Sequence, residues 1–245
     1  MIIDAHIHLA DGFESLPGGS TSELVKDLAK RGIAKAWALT LDGFFGNCKE
    51  ENDKLKTRCD ESNGVFIPFM TVNPRDEQGA LEEMERAHYE LGMKGLKVHG
   101  WVQSFSMRNK WFLEMCKKCV QLKIPLIIHD GTPPYCEPYQ VAYVAEMMPD
   151  LTIILGHSGL NDLWKEALYA AQRLENIFLC TCSTPYFGVK KMVELVGAHR
   201  VLYGSDGGFG DPGIIDNNLD KIYMLGLSDV QLEKVLYKNA EHLLG

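Results

Sequence analysis

Several features are missing from this 245-residue chain, and each absence excludes a class of protein. No apolar run approaches the roughly 20 residues needed to cross a bilayer, so no membrane-spanning protein is expected. The start offers no apolar signal-peptide core, because Asp4, His6 and His8 interrupt it. There is no basic run: 25 Lys plus Arg face 33 Asp plus Glu, and the net charge of −8 disfavours nucleic acid as a partner. The seven cysteines are odd in number and lack framework spacing, which fits free thiols in a reducing cytoplasm. No linker, charge block or low-complexity stretch divides the chain. A single cytoplasmic domain over residues 1–245 is the expectation.

What the chain does contain is a repeat of strand-like runs. They are Ile2–His8, Ala34–Thr40, Val65–Val72, Lys94–His99, Pro125–His129, Thr152–His157, Ile177–Cys182 and Val201–Asp206. Their spacing of about thirty residues is that of a strand, a turn and a returning helix. Helical patterns lie between them: one after Ser22 as polar cap, then Cys48–Glu61, Asp76–Leu91, a stretch between Phe112 and Leu122, Asn161–Leu174, Phe187–Val196 and Asp229–Leu244. Near-continuous apolar strands such as Pro125-Leu-Ile-Ile-His129 suit a parallel sheet covered on both faces. A doubly wound sheet would carry a glycine fingerprint after its first strand, and none is present. The expected fold is α/β, one (β/α)8 TIM barrel.

The chemistry gathers where otherwise apolar strands end in polar residues. In a barrel these positions share the C-terminal rim, where active sites are built. His6 and His8, two apart in one strand, point to the same side. His129, His157 and Asp206 end three further strands. One such histidine is ordinarily a hydrogen-bonded structural residue; five polar groups at one rim suit a divalent cation, with zinc first and Mn2+, Fe2+ or Co2+ as other candidates. Cys116 and Cys119 have no second cysteine pair and read as two thiols packed on one helix face, and Cys182 is placed where it could reach the pocket. Phe44, Phe45, Trp101, Phe105, Tyr135, Tyr186 and Phe187 fall in rim loops, as an apolar funnel for a small-molecule substrate or a contact with a partner subunit.

Asp4-Ala-His6-Ile-His8, Lys97-Val-His99, Leu126-Ile-Ile-His129, Gly156-His157-Ser-Gly159 and Tyr203-Gly-Ser-Asp206 together resemble the amidohydrolase superfamily. The likeness is strongest to its amidohydrolase-2 branch, which includes aminocarboxymuconate-semialdehyde decarboxylase-like proteins, and it runs from residue 2 to residue 245. Gly207-Gly208 departs from the bulkier residues usual after the last-strand aspartate. The resemblance implies that His6, His8, His129 and Asp206 bind one catalytic metal, that His157 and Asp206 handle protons, and that Lys97, His99 and Trp101 contact substrate. Asp4 would hold the tautomer of a ligand histidine. A two-metal site bridged by a carboxylated Lys97 is the variant of this reading. The leading expectation is a hydrolase that uses metal-activated water to cleave an amide, ester or lactone bond of a small, carboxylate-bearing substrate. The alternative is a lyase, a non-oxidative decarboxylase or hydratase acting on an unsaturated or aromatic acid. A non-enzymatic metal barrel is disfavoured because structural zinc sites prefer cysteine, and a TatD-type nuclease because Lys97 replaces its fourth-strand glutamate. The resemblance also implies a homodimer.

Overall fold

A computed structural model describes residues 1–9, 19–208 and 211–245 of the chain. Eight strands run in order: β1 (Ile2–Leu9), β2 (Ile33–Thr40), β3 (Phe66–Pro68), β4 (Leu96–Val98), β5 (Leu126–Ile128), β6 (Ile153–Leu155), β7 (Ile177–Cys180) and β8 (Val201–Leu202). Every paired neighbour is parallel. The ladders form two arcs, β1–β3 and β4–β8, and backbone bonds just outside the named strands join them. At one seam Lys97 N–H donates to Met70 O (2.8 Å) and Met70 N–H to Gly95 O (2.9 Å). At the other, Asp206 N–H donates to His6 O (2.8 Å) and His8 N–H to Gly207 O (2.9 Å). The result is the expected (β/α)8 TIM barrel.

Helices α1 (Thr21–Lys30), α2 (Cys48–Glu61), α3 (Gln78–Tyr89), α4 (Lys110–Leu122), α5 (Pro138–Met147), α6 (Trp164–Arg173), α7 (Tyr186–Leu195) and α8 (Gly213–Tyr223) follow the strands in turn. The cap of α1 is Ser20, two residues before the expected Ser22, because Glu23 completes a capping box with it. The C-terminal segment, expected as one helix, contains a π turn at Lys234–Lys238 between α9 (Asp229–Glu233) and α10 (Asn239–Leu244). Cys116 and Cys119 are buried free thiols on α4. No helix among the described residues is long and apolar enough to span a membrane.

Two apolar cores follow from strand alternation. Leu96, Val98, Leu126, Ile128, Ile153 and Leu155 point outward under the helices. Ile3, Ala5, Trp37, Leu39, Phe69, Ile127, Ile154, Cys180 and Leu202 fill the barrel, where Ala240 of α10 joins them. β1 breaks its own alternation. Asp4 pairs with Ala36 but Ile7 with Ala38, so three steps on β1 match two on β2. That bulge shifts the inward parity from Ile3 and Ala5 to His6 and His8, and sends Ile7 outward into the helix-facing core. Asp4 pins the bulge: its buried Oδ1 accepts from the backbone N–H of His6 and of Ser205, both at 3.0 Å.

Candidate metal centre

The polar residues of interest sit at, or a few positions beyond, the last paired residue of their strands. Lys97 is within β4 and His99 follows it; His129 follows β5; His157, Cys182 and Asp206 lie in the turns after β6, β7 and β8. Leaving the ladder lets Asp206 and Ser158 adopt φ of 60° and 45°, and Asp is among the residues that tolerate this region. Gly159 permits the tight turn after His157. Its φ is +85°, and a Cβ there would stand 2.3 Å from the backbone of Leu163.

Three donors converge. His6 Nε2 lies 3.5 Å and His8 Nε2 3.2 Å from Asp206 Oδ1. The ring of His6 is oriented by Gly156 O, 3.1 Å from its Nδ1. A carbonyl only accepts, so His6 carries its proton on Nδ1 and turns a bare Nε2 towards Asp206. Burial, then the neighbouring Lys97, holds the His6 pKa well below its ordinary value, which keeps this imidazole neutral as a metal ligand must be. Donor separations of this size match a shell with bonds of about 2.1 Å, whose edges run from roughly 3.0 Å (octahedral) to 3.4 Å (tetrahedral). The residues therefore fit a divalent ion.

His129, the fourth expected ligand, is placed differently. It stacks on His99 (ring centroids 3.7 Å apart, 12° between planes) and meets His157 edge-on at 4.1 Å. It is in the same histidine cluster but outside the tight donor groups found among the described residues. The second such group, His6–His157–Cys182, reaches His6 through Nδ1, the nitrogen already donating to Gly156 O. Of the two groups, His6–His8–Asp206 is the one that uses a His6 nitrogen free of a backbone carbonyl.

Lys97 is 1% exposed, and its Nζ lies 3.1 Å from His6 Nε2. Burial lowers its pKa, with Asp206 opposing. His99 receives the backbone N–H of Val102 on Nδ1 (3.5 Å), so its proton is on Nε2. Burial takes its pKa down to about 3, leaving a neutral donor at ordinary pH. Phe44 meets His99 edge-on at 5.6 Å. Of the expected aromatic funnel, Trp101 is 57% exposed, whereas Phe105 instead packs in the core on Phe112. Asp4 takes another role than expected, since its carboxylate accepts from the backbone of His6 and the ring is held by Gly156 O. Asp130 escaped the sequence reading. Its buried carboxylate accepts from the N–H of His157 (2.8 Å) and of Gly159 (2.6 Å) and so sets the turn that carries His157. The adjacent polar pair His129-Asp130 at a strand end was the available signal.

These environments give the metal-free protein a defined pH response. His6, His8, His99, His129 and His157 all have lowered pKa values, each chiefly through burial. Below about pH 6.5 the unfolded chain protonates these five more readily than the fold does, so stability falls on acidification. Asp4 and Asp130, raised by burial to about 7 and about 6, act in the opposite sense. Five groups outweigh two, and each unmatched proton is worth about 1.4 kcal/mol per pH unit. Thermal midpoints of chelator-treated protein should therefore drop steadily from pH 7 to pH 5; a midpoint that rises on acidification would contradict these environments.

A parallel eightfold barrel that gathers two histidines and an aspartate at the C-terminal ends of its strands defines a class, the metal-dependent amidohydrolase-type barrels. The chain belongs to the amidohydrolase family, whose model matches residues 3–245. No curated protein sequence matches it. Among solved structures it is similar to 2,6-dihydroxybenzoate decarboxylase from Rhizobium (TM-score 0.77, 18% identity, 99% of this chain and 98% of that one). It is similar also to 5-carboxyvanillate decarboxylase from Novosphingobium aromaticivorans in complex with manganese and 4-hydroxy-3-methoxy-5-nitrobenzoic acid (0.77, 17%, 100% and 96%). A third is 4-oxalomesaconate hydratase from Rhodopseudomonas palustris (0.71, 16%, 100% and 95%). At these identities the likeness establishes the fold.

Proposed function

We propose that the protein is a metal-dependent lyase that removes a carboxyl group, without an oxidant, from an unsaturated or aromatic carboxylic acid. The observation that carries this reading over hydrolysis is Lys97. A fully buried amine 3.1 Å from the donor set is costly to fold around. Cleavage of an amide, ester or lactone does not itself call for a buried amine beside the donor set, whereas a carboxylate that reacts in the site pairs with it directly. His99, neutral and protonated on Nε2, supplies a second donor on the same strand face without adding charge. Two of the similar structures described above are decarboxylases of aromatic acids and the third is a hydratase, which supports the lyase reading over the hydrolase.

A divalent ion held by His6, His8 and Asp206 would supply fixed positive charge that draws a substrate oxygen and stabilises developing negative charge. The donor chemistry suits zinc, and the manganese in the 5-carboxyvanillate decarboxylase makes that ion the other candidate. Lys97 and His99 orient the carboxylate that leaves. When its carbon–carbon bond breaks, carbon dioxide departs and the electron pair stays on the substrate carbon, which then takes a proton. Asp206, the member of the donor group whose side chain is a quarter exposed, takes a proton from solvent and passes it to that carbon, returning to the carboxylate. The buried Nε2 of His157, with no hydrogen-bond partner among the described residues, holds a substrate hydroxyl.

Hydroxybenzoates and unsaturated dicarboxylic acids, offered with manganese or zinc, should release carbon dioxide in a reaction that chelation lowers at least about a hundredfold. Cleavage of lactones or esters with no carbon dioxide from any acid would overturn the reading.

A further inference from the structure

Inside the barrel, next to the donor group, is a thiol that no step above uses. Cys182 is fully buried, and its Sγ lies 3.5 Å from Nδ1 of His157 and 3.5 Å from Nδ1 of His6. We propose that Cys182 is a positioning residue: it holds the proton of His157 on Nδ1 and so leaves Nε2 bare inside the site.

The argument runs through donors and acceptors. The S–H of Cys182 donates to Gly156 O at 2.9 Å, which leaves only lone pairs on the sulfur to meet its other neighbours. Gly156 O also takes the Nδ1–H of His6 at 3.1 Å. The sulfur can therefore face Nδ1 of His157 only as an acceptor, and that nitrogen must carry the proton. Nothing else competes for it. Among the described residues, the backbone N–H of His157 is committed to Asp130 and its carbonyl to Thr184 Oγ1 (2.8 Å), while its Nε2 has no partner. One carbonyl and one sulfur thus set both rings: His6 and His157 are each protonated on Nδ1 and present Nε2 as a lone pair. This matters for catalysis because a histidine in the other tautomer offers an N–H where a ligand hydroxyl or proton needs an acceptor. A sulfur also makes a softer, longer contact than a carboxylate would, so the ring is directed without an added charge in a site that already contains Asp206.

The tautomer part of this inference stands without the lyase reading; only its kinetic consequence rests on it. The experiment uses protein loaded with zinc, which is diamagnetic, and 15N-labelled histidine. Long-range ring 1H–15N correlations assign the protonated nitrogen of His157, identified by its loss in His157→Gln. The wild-type protein should show Nδ1–H at His157, Cys182→Ser should retain it, and Cys182→Ala should move the proton wholly or partly to Nε2. With an acid that the enzyme turns over, kcat should fall about 10- to 100-fold in Cys182→Ala with KM little changed, and Cys182→Ser should recover most of it. An Nε2–H His157 in the wild-type protein overturns the proposal whether or not the variants fold, and so does an alanine variant that keeps Nδ1–H. The ring proton is read without substrate, so absence of carbon dioxide release leaves that outcome independent.

Discussion

Asp206→Asn is expected to lower turnover about a thousandfold and to strip the protein of its divalent ion, while leaving the barrel folded. Asparagine is the informative replacement. Asp206 sits at φ 60°, a backbone region that Asn accepts as readily as Asp and that Ala does not. The Asp206 backbone N–H bond to His6 O, which helps close the barrel, involves no side-chain atom and survives the change. What is lost is the carboxylate oxygen 3.2 Å from His8 Nε2 and 3.5 Å from His6 Nε2, the sole negative charge in that donor group. Two neutral imidazoles hold a divalent ion far less tightly than two imidazoles and a carboxylate. Metal analysis after dialysis, unfolding midpoint and carbon dioxide release on one preparation separate the effects. A folded variant that keeps both its ion and its activity would remove Asp206 from the centre.

Lys97→Met should divide stability from activity. The side chain is among the largest fully buried ones in the molecule. Among the described residues no carboxylate forms an ion pair with it; its Nζ meets His6 Nε2. Methionine preserves much of its length and apolar stem and removes the desolvation cost of the amine, so the unfolding midpoint should hold or rise, with a gain of about 1–4 kcal/mol as the plausible scale. Turnover of a carboxylic acid should fall at least about a hundredfold, because the group proposed to pair with the leaving carboxylate is gone. This is the trade expected where a strained or costly residue is kept for function. A variant with a clearly lowered midpoint would make Lys97 structural, and one with nearly normal carbon dioxide release would return the hydrolase reading to first place.

The strands were legible because burial on both faces leaves an unmistakable apolar run: β3 to β8 fall within the expected segments with shorter paired portions, and β1 and β2 each run one residue longer, to Leu9 and from Ile33. The polar ends His99, His129, His157 and Asp206 explain the shortening: the chain leaves the ladder where side chains serve the rim. Two helices were not singled out, for physical reasons. α5 buries Val141 and Val144 but also exposes Tyr139, Tyr143 and Met147, which blurs its apolar face. α8 opens Gly213-Ile-Ile-Asp-Asn, a mix of residues that favours turns and strands over helix. Spacing two apart correctly put His6 and His8 on one side. It could not say which side, since strict alternation from Ile3 and Ala5 would have turned them outward, and the bulge that reverses this is a mismatch between β1 and β2.

The sequence by itself determined the eightfold repeat, the apolar strand centres and the set of histidines and carboxylates at one end, because these follow from local alternation and burial. Only the tertiary structure decided which of them meet. Barrel closure brings Asp206 to His8 and places Gly156 O under the ring of His6, and the pairing of β6 with β7 seats Cys182 against His157. It also removed His129 from the tight donor group and gave Asp4 to the backbone. Protonation site and ligand membership depend on which atom lies within about 3.5 Å of a ring nitrogen, and those partners come from residues far apart in the chain that meet only when the strands pair and the barrel closes.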